Sequence, residues 1–219
     1  MTYESSVTNP MLQTLLRNPG VRALSSLVGW FAYLLSFTLL VLCFVDVAAV
    51  GGRCASGNTA YVIQTQCPSG VDIFIPWVIF GMLLAALIGI VGAGGFGVPM
   101  VVWAWPILFC VLGLGFFFAG GGVVAIALGV MFEVMGVIPV IIELRGGIQR
   151  VFIGTTSLAG VQLRERDGAT RGLTLRATPN GEGAVTPGLS AWILGPLLFW
   201  IGSLGGIYVA LVWYSNVAS

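Results

Sequence analysis

The feature that most constrains this chain is a nearly unbroken apolar stretch over residues 98–144. One α-helical crossing of a bilayer uses about 20 apolar residues, so this stretch is too long to cross once. Three consecutive glycines at positions 120–122 interrupt it, and glycine permits the tight turn that would join two helices. The stretch therefore predicts a helical hairpin with spans over residues 100–119 and 123–142.

The composition of the whole chain points to a membrane protein rather than a soluble one. Of its 219 residues, 58% are hydrophobic and 8% are charged, whereas soluble domains carry about 25% charged residues. The formal net charge of +1 gives no reason to expect a nucleic-acid partner. The chain has no histidine, which removes the usual general base and the commonest metal ligand. We therefore expect no metal and no other cofactor.

Three further apolar segments bring the number of predicted transmembrane helices to five. They cover residues 26–50, 75–91 and 190–214. The predicted fold is an all-α integral membrane protein with five transmembrane helices and a small cytoplasmic β-hairpin segment. Its regions are an N-terminal cytoplasmic segment (1–23), a four-helix membrane region (24–144), an arginine-rich cytoplasmic segment (145–189), and the fifth helix with the C-terminus (190–219).

Two polar segments carry weaker signals. Alternating apolar and polar residues over 160–176, centred on Asp167-Gly168, predict the β-hairpin. Near the N-terminus, Asn9-Pro10 resembles a helix start and Asn18-Pro19-Gly20 resembles a helix stop. That segment is either a short helix in the membrane interface or a solvated tail.

Arginines set the predicted orientation. Arg17 and Arg22 precede the first span, and six more arginines lie between the fourth and fifth spans. The positive-inside rule places both groups in the cytoplasm, which five spans allow. The protein is thus expected in the inner (plasma) membrane, with its N-terminus cytoplasmic and its C-terminus outside. Trp30 would lie near the inner interface, and Trp77 and Trp213 near the outer one.

The polar loop over residues 51–72 would face outward, and it contains Cys54 and Cys67. Two cysteines in one short outer loop favour a disulfide, because that compartment is oxidising. Closing such a loop stabilises by about 3 kcal/mol in the chain-entropy model. Two free thiols or a soft metal pair are the alternatives.

Glu133 is the one ionisable residue deep in a predicted span. An ionised acid at the bilayer centre costs at least about 2.5–3.5 kcal/mol, so Glu133 should face protein or water. Ser36 and Thr38 of the first span lie at a similar depth and are candidate hydrogen-bond partners. Glu133 is a neutral, hydrogen-bonded acid, a contact to a partner's basic group, or a proton or cation site. Asp46 is expected to pair locally with Arg53 or to lie exposed at the interface.

Small residues four apart mark places where helices can approach closely. Such pairs serve internal packing or a partner helix equally well. They occur in the third, fourth and fifth spans as Gly115 and Ala119, Ala125 and Gly129, and Gly202 and Gly206.

The outer loop, which reads RCASGNTAYVIQTQCPSG, gives the chain a resemblance to a group of membrane proteins. Together with the histidine-free and lysine-free spans and the overall size, it resembles small polytopic membrane proteins of actinobacteria. Some proteins of that kind are accessory subunits of larger assemblies, including the respiratory cytochrome bcc–aa3 supercomplex. The resemblance implies an accessory role but assigns no functional residue.

The sequence contains no constellation typical of an enzyme, such as a Ser/His/Asp set, paired acids at one depth or a phosphate-binding loop. We therefore expect a non-catalytic accessory or assembly subunit of a larger bacterial membrane complex. Its partners would be other integral membrane subunits and lipids. The alternative is a small proton- or cation-coupled channel or transporter centred on Glu133.

Overall fold

The computed structural model describes residues 19–50, 54–55, 65–93, 97–118, 122–145, 148, 152 and 189–218. Within those residues the regular secondary structure is helical, with one isolated parallel bridge between Ala55 and Gln66. The helices are α1 (Pro19–Ala49), α2 (Val71–Ala86, continued by a π-helical segment, Leu87–Gly92), α3 (Met100–Phe118), α4 (Gly122–Arg145) and α5 (Leu189–Ala218). The predicted β-hairpin and interfacial helix lie outside the described residues.

Four helices are long and apolar enough to cross a membrane. Their candidate spans are Gly20–Val47, Val71–Gly92, Gly122–Ile142 and Trp192–Val217. The helix at the third predicted span is shorter, with an apolar part over Val102–Phe118. By helix length, the structure thus supports a multi-pass membrane protein with four candidate spans, one fewer than the sequence predicts.

The first helix begins earlier than its predicted span. Helix α1 starts at Pro19 and runs for 31 residues, whereas the helix stop predicted at Asn18-Pro19-Gly20 concerns a preceding segment that lies outside the described residues. Proline is compatible with a first helical turn because its missing N–H would have no partner within the helix there. The apolar residues that follow Pro19 continue the helix into the first span.

Contacts between neighbouring helices fix their relative directions. Gly202 and Gly206 of α5 face Leu27 and Phe31 of α1, so these two helices run parallel. Helix α3 also runs parallel to α1, because their contacts ascend along both helices. Trp30 donates a hydrogen bond to the Val98 carbonyl just before α3, Tyr33 donates to the Ala104 carbonyl, and the Phe44 ring lies 4.0 Å from the Cβ position of Gly115.

Two further contacts are antiparallel. Along α2, Gly81 meets Ser36, Gly89 meets Gly29, and Gly92 meets Ser25, in descending order along α1. Between α3 and α4, Gly113 meets Glu133, Phe117 meets Gly129, and Cys110 meets Gly136. Successive helices therefore alternate in direction along the chain.

The core is arranged around α1, which contributes to both clusters of buried side chains. One cluster, centred on the fully buried Trp30, includes Phe37, Ala85 and Met100. The other, centred on Phe74, includes Leu39 and Tyr214. Helix α4 contributes to neither cluster, because its extensive contact among the described helices is with α3.

The side chain of Trp30 lies between the helices of the bundle. It is 1% exposed, its ring packs against Phe199 at 4.7 Å, and its Nε1 donates to the Val98 carbonyl at 2.9 Å. Tryptophan is tolerated inside a core when its N–H finds an acceptor. Trp77 is exposed, and its ring lies 6.0 Å from that of Trp213.

The π-helical segment keeps the small residues of α2 aligned with α1. Gly81, Ala85, Gly89 and Ala93 are spaced by four residues, and such a series drifts around an α-helix of 3.6 residues per turn. The wider i→i+5 turns rotate less per residue, which returns the series toward α1. A methyl group on Gly29 would lie 2.6 Å from the Gly89 Cα, so the two backbones are in close contact here.

The connection between α1 and α2 contains the expected disulfide. Cys54 and Cys67 are joined, with a Cα–Cα distance of 4.8 Å. Backbone hydrogen bonds flank it, from Ala55 N to the Thr65 carbonyl and from Cys67 N to the Ala55 carbonyl. Cys43 and Cys110 are free thiols, as expected for cysteines within helices.

Candidate functional site

Glu133 lies in the middle of α4, and its carboxyl group points toward α3. A methyl group placed on Gly113 would lie 2.9 Å from Glu133 Oε1 and 3.0 Å from the Gly129 carbonyl oxygen. Gly113 therefore provides the space into which the carboxyl fits. Because Glu133 is half-buried and faces a neighbouring helix, the expectation that it faces protein agrees with this arrangement.

The polar environment of this carboxyl is sparse. The thiol of Cys110, one turn before Gly113, interacts with the Glu133 side chain. Oε1 is buried and has no hydrogen-bond partner among the described residues. A buried polar atom without a hydrogen-bond partner is costly, so this oxygen is the unsatisfied part of the contact between α3 and α4.

The structure does not bring Ser36 to Glu133. Ser36 is 2% exposed and its hydroxyl packs directly on Gly81, at the contact between α1 and α2. Thr38 lies half-buried on α1. Depth in the membrane was the only basis for pairing these residues with Glu133, and depth does not determine which neighbouring helix a side chain faces.

Three of the predicted small residues lie at helix contacts within the chain. A methyl group on Gly202 would lie 2.6 Å from the Leu27 carbonyl oxygen, and one on Gly206 would overlap the Phe31 carbonyl. A methyl group on Gly129 would lie 2.6 Å from the Phe117 ring. In the structure these three glycines serve internal packing.

The remaining small residues carry less information. Ala125 is buried at 8% exposure. The position of a Cβ on Gly115 has its nearest neighbour, the Phe44 ring, at 4.0 Å, so this glycine is not needed for close approach. Ala119 lies outside the described residues.

A polar contact that the sequence did not predict joins the C-terminal ends of α1 and α5. The Tyr214 hydroxyl donates a hydrogen bond to Asp46 Oδ2, and the Tyr214 ring stacks on Phe74 with 5.2 Å between ring centroids. Asp46 was expected to pair with Arg53, which lies outside the described residues, or to be exposed. The signal that could have identified its partner is that both residues fall near the outer ends of their predicted spans.

A second unpredicted polar contact lies at the other end of the bundle. Arg22 is only 6% exposed, and its Nε donates to the Ala93 carbonyl at 3.0 Å. The sequence identified Arg22 only as an orienting charge. In the structure it also ties α1 to the segment that joins α2 and α3.

Neither polar contact forms a metal centre. The described residues contain no group of three or more His, Cys, Asp or Glu side chains able to hold a metal ion. Each contact joins two helices, and each has at most one acid. In chemical terms Glu133 can bind or release a proton, and Asp46 accepts a hydrogen bond.

Comparison of the chain with protein-family models, curated proteins and solved structures finds no match.

Proposed function

We propose that this protein is a non-catalytic accessory or assembly subunit of a larger bacterial membrane complex, with a respiratory assembly as the first candidate. The observation that carries the proposal is the uneven packing of the bundle. Of the apolar window of α1, 44% is buried within the chain, whereas for α4 the value is 17%. Helix α4 packs along one side against α3, and most of its remaining surface is available to neighbouring subunits or lipids.

The proposal includes five membrane crossings, with the N-terminus in the cytoplasm and the C-terminus outside. The alternating directions of the helices support it, because each crossing reverses the chain. Helix α3 has 19 residues, which at 1.5 Å per residue extend about 28 Å, close to the thickness of about 30 Å of the hydrocarbon core. A crossing by α3 would also keep the Cys54–Cys67 disulfide and the Asp46–Tyr214 contact on the same side.

Co-purification tests the subunit role. The protein, tagged and expressed at its native level, is extracted in several mild detergents, and its partners are identified by mass spectrometry. We expect a defined set of integral membrane proteins in a constant ratio to the tagged chain. A protein that runs alone in every mild detergent would contradict the subunit role.

Thiol labelling tests the topology separately. A variant with Cys43→Ala and Cys110→Ala retains only the two disulfide cysteines. An impermeant maleimide should label this variant in intact cells only after reduction, because Cys54 and Cys67 would be oxidised and outside. Labelling that requires permeabilised cells would invert the orientation.

A second candidate function is a proton- or cation-coupled channel or transporter centred on Glu133. The observation that favours it is the buried Oε1 without a hydrogen-bond partner among the described residues. Intramembrane acids commonly belong to proton or ion pathways. In proteoliposomes, a proton- or cation-dependent flux should be abolished by Glu133→Gln. Equal flux from the variant and the wild-type protein would exclude a pathway through this carboxyl.

A further inference from the structure

The face of α5 that points away from α1 carries a tyrosine at an unusual position. Tyr208 is 68% exposed, on a helix whose opposite face packs Gly202 and Gly206 against α1. Trp200, Leu204 and Leu211 are also exposed, and with Tyr208 they follow helical spacings of four, four and three residues. We refer to these four residues as the α5 stripe.

Tyr208 lies well inside the apolar part of α5. It precedes Val217, the end of the candidate span, by nine residues, or about 14 Å of helix. It precedes Trp213, the outer aromatic residue that contacts Trp77, by five residues, or about 8 Å. Its distance from Trp192 at the other end is sixteen residues, or about 24 Å.

The direction of the side chain makes this position less favourable. Side chains on a helix lean toward its N-terminus, so Tyr208 leans away from the nearer membrane surface. Trp200 has the opposite geometry, because its nearer surface is at the N-terminal end and its ring leans toward it. Snorkelling therefore suits Trp200 but does not suit Tyr208.

The Tyr208 hydroxyl has no hydrogen bond to any of the described residues. Lipid tails offer no acceptor, and an unsatisfied polar group in hydrocarbon is costly. The backbone carbonyls of α5 near Tyr208 are used within the helix. Among the described residues, none supplies the missing acceptor.

We propose that the α5 stripe docks a transmembrane helix of another polypeptide, and that this helix carries an acceptor oxygen for the Tyr208 hydroxyl. The inference rests on the proposed role as a subunit and assigns a face to it.

The number of hydrogen-bond donors and acceptors favours a different polypeptide over a symmetric pair of copies of this chain. If two copies paired symmetrically through Tyr208, one hydroxyl could donate to the other, and the second proton would still lack an acceptor. Another helix can supply an acceptor for the Tyr208 proton and leave no donor unpaired. Suitable acceptors are a free carbonyl or a Ser, Thr, Asn, Gln or acidic side chain.

Site-specific photocrosslinking in intact cells tests the inference. The variant Tyr208→p-benzoylphenylalanine places a probe on the stripe, and Phe80→p-benzoylphenylalanine is the matched control. Phe80 is an exposed aromatic residue, 70% accessible, on α2. We expect a discrete heavier species from position 208 and only lipid adducts from position 80.

Identification of the cross-linked peptide decides the chemistry. It should belong to another protein, within an apolar segment of about 20 residues that carries an acceptor side chain or a proline-freed carbonyl. Lipid adducts alone at position 208, a species of twice the mass of this chain, or a cross-link to a polar segment would each overturn the inference.

Substitution of the hydroxyl provides a second measurement. Tyr208→Phe keeps the ring, and we expect the yield of the co-purified partner to fall about fivefold, while Phe80→Leu leaves that yield unchanged. Wild-type yield from Tyr208→Phe would overturn the inference while the subunit role stands, because the partner would still co-purify. Failure of the wild-type chain to bring down any partner would instead overturn the subunit role, and this inference with it.

Discussion

At the contact between α1 and α5, the atoms nearest to a Cβ on the glycines belong to the backbone of the neighbouring helix. At the contact between α3 and α4 the nearest atoms belong to side chains, and backbone atoms follow at 3.0 Å for Gly113 and 3.2 Å for Gly136. Gly202 and Gly206 lie directly on the Leu27 and Phe31 carbonyls. Gly113, Gly129 and Gly136 instead accommodate the Glu133 carboxyl, the Phe117 ring and the Cys110 thiol. The same residue type thus allows two different packing modes in one bundle.

The two modes have different tolerance to change. A side chain can move to another rotamer when a neighbour grows, but a backbone in a helix moves only with the whole helix. The α1–α5 contact also carries the Asp46–Tyr214 hydrogen bond, while Glu133 Oε1 at the α3–α4 contact has no partner among the described residues. We therefore expect the α1–α5 contact to be the more rigid of the two.

The largest expected effect is that of Gly206→Ala. The added methyl group would overlap the Phe31 carbonyl and lie 2.9 Å from the Leu35 backbone nitrogen, so α1 and α5 would have to separate. We expect the free energy of unfolding, measured by detergent titration in mixed micelles, to fall by about 3 kcal/mol. Gly129→Ala should cost about 1 kcal/mol, because the Phe117 ring can shift.

The matched control for both variants is Gly115→Ala, whose added methyl group would have its nearest neighbour at 4.0 Å. It should change the free energy of unfolding by less than about 0.5 kcal/mol. Equal losses from Gly206→Ala and Gly129→Ala would show that the two contacts do not differ in rigidity.

Removal of the Cys54–Cys67 disulfide should have the next largest effect, and it acts on the α1–α2 side of the bundle. The double substitution Cys54→Ser and Cys67→Ser should lower the free energy of unfolding by about 2 kcal/mol. This is less than the value of about 3 kcal/mol for a free chain of that loop length, because the flanking helices stay inserted in the unfolded state.

Reduction of the wild-type protein supplies the internal comparison. The reductant should reproduce the shift of the double variant and should leave the double variant itself unchanged. A reductant effect on the double variant would mean that the shift has another cause.

The Asp46–Tyr214 hydrogen bond should contribute a smaller, measurable coupling between α1 and α5. A double-mutant cycle with Asp46→Asn and Tyr214→Phe should give a coupling free energy of about 1 kcal/mol, in the range of hydrogen bonds between membrane helices. The cycle is measured by the same detergent titration. Additive single losses, with no coupling, would mean that this contact does not distinguish the α1–α5 side of the bundle.

The smallest expected effect is that of Glu133→Gln. Glutamine has nearly the same shape and is neutral, so it should fit beside Gly113 and change the free energy of unfolding by less than about 0.5 kcal/mol at neutral pH. Gly113→Ala should cost more than this substitution, because it fills the space that the carboxyl occupies. A large loss from Glu133→Gln would indicate that the carboxylate form is held in the fold.

Much of the secondary structure could be predicted, because it depends on local apolar content. The third predicted span, 100–119, corresponds to Met100–Phe118, and the fourth, 123–142, corresponds to Gly122–Arg145. Gly122, in the predicted glycine turn, has a φ of 68°, which glycine adopts without strain. The start of α1 was wrong by seven residues, because proline is compatible with either end of a helix.

The partners of the polar side chains were harder to predict. The pairing of Ser36 with Glu133 followed from depth alone, yet Ser36 lies against Gly81 of α2. Residue type alone gave no indication that Trp30 packs between helices and donates to the Val98 carbonyl. In both cases the direction around the helix axis decided the contact, and that direction depends on the neighbouring helices.

The sequence by itself determined that this chain is apolar enough for several membrane crossings, where most helices lie, and which two cysteines meet. These properties depend on the length and composition of consecutive residues, because each segment must be long and apolar enough by itself to cross a bilayer. Only the tertiary structure decided that α1 is central, that Tyr214 is the partner of Asp46, and that the Glu133 carboxyl occupies the space beside Gly113. The physical reason is that apolar helices are apolar all round, so their sequences specify depth well but leave the choice of facing neighbour to packing between helices.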